Sequence, residues 1–109
     1  MSDNFVVIGE DAIRGACDAV WGEQLNTPAM SKFPDELVGQ LAGKEKSPEG
    51  VSTSYAIAAA NYFDNGSPLF HVVMHQGDRF VDNLGLEKEF ADEVKKDFRS
   101  SSNPEIKNL

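Results

Sequence analysis

The sequence predicts an α+β domain: three or four short helices packed on a small antiparallel sheet built around a β-hairpin at residues 69–84. Three observations lead there. An apolar stripe at helical spacing lies near the start, and a second lies among charged residues near the end. Between them, two β-rich runs flank a Gly-Asp pair. With 109 residues, 40% of them hydrophobic, the chain can furnish one core and would leave two independent units marginal. A single domain is therefore expected over residues 1–99, with 100–109 as a flexible or partner-docked tail.

Taken in order, Phe5-Val-Val-Ile8 predicts a short extended start. Gly9 then precedes Glu10 and Asp11, acids that suit the positive end of a helix dipole. Ile13, Ala16, Cys17, Val20 and Trp21 form one stripe of a first helix ending near Gly22, with Asp11, Arg14 and Asp18 on its opposite side. Trp21 is expected as a core anchor. Turn chemistry around Pro28 marks residues 25–30 as a loop, and Pro34-Asp-Glu36 opens a brief second helix carrying Leu37, Val38 and Leu41 and stopping at Gly43. Lys44 to Gly50 is expected as a solvated loop. Residues 51–63 carry an alanine run that favours helix and a β-branched opening that favours strand. Helix is the preferred reading, with Ser52, Thr53 or Ser54 as its cap.

The predicted hairpin pairs Leu69-Phe-His-Val-Val-Met-His75 with Phe80-Val-Asp-Asn-Leu84 across Gly77-Asp78. Alternation then places Phe70, Val72, Met74 and Val81 on the core face, and Leu69, His71, Val73, His75, Phe80, Asp82 and Leu84 on the other. Leu86, Phe90, Val94 and Phe98 recur at four-residue steps and predict a final surface helix ending near Arg99.

Charge narrows the classes of function. The net charge is −8, from 18 acidic and 10 basic residues, and repels phosphate backbones; no direct nucleic-acid binding is expected, and a basic protein surface is the natural partner. The acidity is concentrated: residues 1–36 hold seven acids against two bases, and residues 37–63 balance. No apolar run is long enough for a membrane span and the start lacks a secretory pattern, which points to a cytoplasmic protein without a membrane role. One cysteine, Cys17, allows neither an internal disulfide nor a cysteine-rich zinc site.

Candidate chemistry is thin. In the hairpin register Asp82 lies diagonal to both His71 and His75, close enough for a pair that orients an imidazole as a general base. His71 followed by Asp82 on neighbouring strands resembles the second half of papain-like and transglutaminase-like Cys-His-Asp hydrolases. The resemblance spans about residues 67–85 and implies a minimal or degenerate hydrolase. Those families place the cysteine at a helix start, where the dipole favours thiolate, whereas Cys17 falls about two turns into the first helix, on its apolar stripe. Ser52 or Ser54 would stand in for it in a serine variant.

His71 and His75 would share a metal ion if helical; on a strand they lie ~13 Å apart, so no metal site is expected. Asp78, Asp82, Glu87 and Glu89 lack calcium-loop spacing, and no glycine pattern marks a phosphate loop. No cofactor is expected. The leading expectation is a small acidic protein-binding module, an inhibitor or antagonist that occupies the nucleic-acid-binding surface of a target through Glu10, Asp11, Asp18, Glu23, Asp35 and Glu36. A subunit of a larger assembly is the remaining alternative. Phe33, Tyr62, Phe63 and Phe70 are candidates for an apolar interface patch if the helices leave them uncovered.

Overall fold

The computed structural model describes residues 4–100, with Ser100 described in its backbone alone. Strand β1 (Val6–Val7) leads into helix α1 (Glu10–Trp21), a 3-10 turn (Gly22–Asn26) and helix α2 (Pro28–Leu41). Strand β2 (Glu45–Lys46) follows, then helices α3 (Pro48–Tyr62), α4 (Pro68–His75), α5 (Gly77–Asp82) and α6 (Lys88–Ser100). Strands β1 and β2 pair antiparallel with Val6 opposite Lys46, so the sheet joins the chain start to the α2–α3 connection. Gly43, at φ 71°, makes the turn out of α2 that this pairing requires, and its N–H donates to the Ile8 carbonyl at 3.1 Å.

Three helices start by the same device. Thr27, Ser47 and Ser67 sit at the N-cap in extended backbone, and each side-chain oxygen accepts from the N–H three residues on, at Met30, Gly50 and Phe70. A proline fills the first helical position each time: Pro28, Pro48 and Pro68. There the missing N–H costs nothing and the fixed φ suits a helix.

These caps correct three expectations. Residues 28–30 are the first turn of α2 rather than loop, and Pro34 lies inside that helix instead of opening it. The helix expected over 51–63 is present but starts at Pro48, capped by Ser47 and not by Ser52, Thr53 or Ser54. The largest correction is the hairpin: residues 69–84 form α4 and α5, joined at Gln76. The buried residues of that stretch are Phe70, Val73, Met74, Gly77, Phe80, Val81 and Leu84, a three-and-four spacing that only a helix puts on one side. β-branched Val72 and Val73 suggested strand, but intrinsic preference yields to a cap and a continuous buried face. Among the described residues the architecture is thus α-rich, with six α-helices instead of three or four and a two-stranded sheet at a different place in the chain.

Helix α3 is the axis of the fold, packed against α2, α4 and α6, while α1 lies on α2 and α5. Only a helix apolar or small on nearly every side fits such a position. Val51, Ser52, Ser54, Tyr55, Ala56, Ala58 and Ala59 are all buried. Small side chains let the neighbouring helices approach. Tyr55 fills the centre, its ring within 5.0–6.1 Å of Phe33, Trp21, Phe80 and Phe98, centroid to centroid. Its hydroxyl donates to the Val73 carbonyl at 2.5 Å, at the end of α4 where carbonyls lose their helical partners. Trp21 packs edge-on to Phe33 at 5.0 Å and stacks on Phe80 at 6.1 Å, while its buried indole N–H meets no acceptor among the described residues. The radius of gyration, 12.7 Å, is that of one domain of about 100 residues.

Gly77 lets α5 meet α6. A Cβ there would stand 3.0 Å from the Phe98 ring, itself edge-on to Tyr55. Gly77→Ala is expected to displace that ring and cost about 1–3 kcal/mol, read as a lower urea midpoint. An unchanged midpoint would show that Phe98 yields freely.

Candidate partner-binding face

On α1, Ile13, Ala16, Cys17 and Trp21 face the core, which leaves Asp11, Asp18 and Gly15 outward. Glu10, Arg14 and Asp18 follow one another at four-residue steps along a single ridge, with Asp11 beside it. Arg14 binds Glu10 Oε2 through Nε at 2.9 Å and reaches across to α2, where its Nη2 meets Asp35 Oδ1 at 2.8 Å. The two carboxylates, Glu10 first and then Asp35, hold the guanidinium pKa above its ordinary value. One arginine thereby joins Glu10 of α1 to Asp35 of α2.

The remaining candidates are placed less uniformly. Glu36 turns toward α3, accepting from Asn61 Nδ2 at 2.6 Å and from Gln40 Nε2 at 3.3 Å, so it is half-buried and already hydrogen-bonded. Glu23 lies exposed on the 3-10 turn. Asp11, Asp18 and Glu23 form no ion pair among the described residues, whereas Glu10 and Asp35 share Arg14. The asymmetry of charge was readable in the sequence; the linking role of Arg14 was not, because the Arg14–Asp35 contact spans two helices.

The residues of the hydrolase alternative are not assembled. Cys17 is fully buried in α1, and burial first, then nearby Asp18, pushes its thiol up to about 12. A thiol so held is protonated and shielded, the opposite of an activated nucleophile. Ser52 and Ser54 are core residues of α3, and Ser52 Oγ donates back to the Glu49 carbonyl at 3.0 Å. Asp82, on α5, pairs with Lys95 Nζ of α6 at 2.5 Å, and the ring neighbours of His71 are Phe70 and His75. The cross-strand geometry that related His71 to Asp82 disappears with the hairpin.

A cleft of about 210 Å³ between α4, α5 and α6 is lined by Met74, His75, Asp78, Phe98 and Arg99, with Arg99 paired to Asp78 at 2.6 Å. Of the four aromatics considered as an interface patch, Phe33, Phe63 and Phe70 are buried and Tyr62 alone is exposed, at 37%. No set of three or more His, Cys, Asp or Glu side chains among the described residues is arranged to hold a metal ion. Among the same residues no helix is long and apolar enough to cross a membrane.

The chain matches no protein family, no curated protein and no solved structure in the three comparisons made.

Proposed function

We propose that this protein is a small acidic binding module that acts as an inhibitor or antagonist by occupying the basic, nucleic-acid-binding surface of a target protein. The observation that carries this reading is the acidic outer side of α1: Asp11 and Asp18 stand exposed there, and Arg14 ties Glu10 of the same helix to Asp35 on α2. Carboxylates fixed on a helix are preorganised, so a basic partner meets them without ordering a flexible segment. Complementary charge of this kind speeds encounter and selects the partner. The central aromatic cluster lies in the core, so recognition through this face is chiefly polar.

The test is a pull-down from the native cell at two salt concentrations. Between about 0.1 M and 1 M salt the screening length falls from about 10 Å to about 3 Å, and the specific partner is expected to be lost at the higher one. A partner retained equally at both would overturn the electrostatic reading.

A further inference from the structure

We propose that His71 and His75 form a two-imidazole site on α4 for a divalent transition-metal ion, with Cu(II) held more tightly than Ni(II) or Zn(II). Strand spacing was the reason to exclude such a site, and the segment is helical. Four residues along a helix lie about one turn apart on the same side, with a rise of about 6 Å. The two rings are 25° from parallel with centroids 6.3 Å apart. Metal–nitrogen bonds of about 2.0–2.1 Å require them to close by about 1–2 Å, which rotation of the exposed His75 side chain supplies. His71 is half-buried with its ring edge-on to Phe70 at 6.1 Å, which restrains one half of the pair in advance.

Two further features favour a cation here. His75 sits in the last turn of α4, where the carbonyl end of the helix is partly negative. Arg99, which lines the adjoining cleft beside His75, is paired with Asp78. Imidazole is a good ligand for Cu(II), Ni(II) and Zn(II), and Cu(II) heads the usual order of affinity. The pair supplies two ligands and leaves the other coordination positions to water.

Calorimetric titration of the full chain with copper(II) or nickel(II) chloride, in a buffer that does not chelate, tests the site. One ion per chain is expected. His71→Ala and His75→Ala should each weaken binding on the order of 100-fold, because on one helix the second bond is intramolecular. Both are expected to keep the wild-type urea midpoint; should one shift, His71→Asn or His75→Gln replaces it. A variant carrying His75→Ala with Gln76→His keeps two imidazoles but moves one off the shared side, and it should bind as weakly as the single variants. No ion bound by the wild type, binding unaffected by either single substitution, or full affinity in the shifted variant would each overturn the site.

Discussion

Tyr55→Ala is expected to lower the unfolding free energy by about 3–5 kcal/mol, the largest effect of any single substitution considered. Tyr55 is fully buried in α3, and its ring touches aromatic side chains from α1, α2, α5 and α6. Truncation therefore removes contacts to four helices at once, and the surrounding rings are too rigid to close the space. Against a total stability of about 5–15 kcal/mol, the variant sits close to unfolding. Tyr55→Phe separates packing from hydrogen bonding. It keeps the ring and loses the bond to the Val73 carbonyl, which still accepts from Gln76 N–H, so about 1 kcal/mol is expected. Urea midpoints of the two variants read the difference. A Tyr55→Ala cost as small as that of Tyr55→Phe would mean that α3 is not the axis of the core.

Alkaline pH is expected to destabilise the protein, beginning well below the titration of its lysines. The native Cys17 thiol keeps its proton to about 12, while a cysteine in the unfolded chain releases it near 8.5. Between those values the unfolded state binds fewer protons than the native state, so stability falls by about 1.4 kcal/mol per pH unit. Below about pH 8.5 the contribution is fully present. Tyr55, whose hydroxyl burial likewise holds protonated, adds to the loss above about pH 10. Urea midpoints from pH 7 to 10.5 should decline from about pH 8.5, and Cys17→Ala should flatten the part of the curve below about pH 10. In the native protein the same thiol should resist alkylating reagents until denaturant is added. A flat alkaline profile, or rapid labelling of folded protein, would place Cys17 nearer the surface than the fold does.

Where the sequence carried a periodic stripe, it led to the right element. Ile13, Cys17 and Trp21 face the core of α1, and Phe90, Val94 and Phe98 do the same on α6. It misled where local preference opposed tertiary context. Val72, Val73 and the Gly77-Asp78 pair read as hairpin, yet Phe70, Val73, Met74 and Gly77 already carry helical spacing, and Ser67-Pro68 is a start signal. The same Ser/Thr-Pro signal stands at Thr27-Pro28 and Ser47-Pro48 and would have placed the starts of α2 and α3.

For the candidate site, exposure of Asp11 and Asp18 followed from the phase of α1. Sequence separation hid the Arg14–Asp35 and Glu36–Asn61 contacts, which depend on how helices pack. The spacing of His71 and His75 was visible, but its meaning depended entirely on whether the segment was strand or helix.

The acidic face is tested most directly by the salt-sensitive partner itself. Its affinity for the wild type is compared with that for a variant carrying Asp11→Lys, Asp18→Lys and Glu23→Lys. These three side chains are exposed and make no ion pair among the described residues, so their reversal breaks none of the fold's ion pairs. Binding at least about tenfold weaker, with most of its salt dependence gone, is the expected result. Unchanged affinity in the charge-reversed variant would contradict the proposal that this face meets a basic partner.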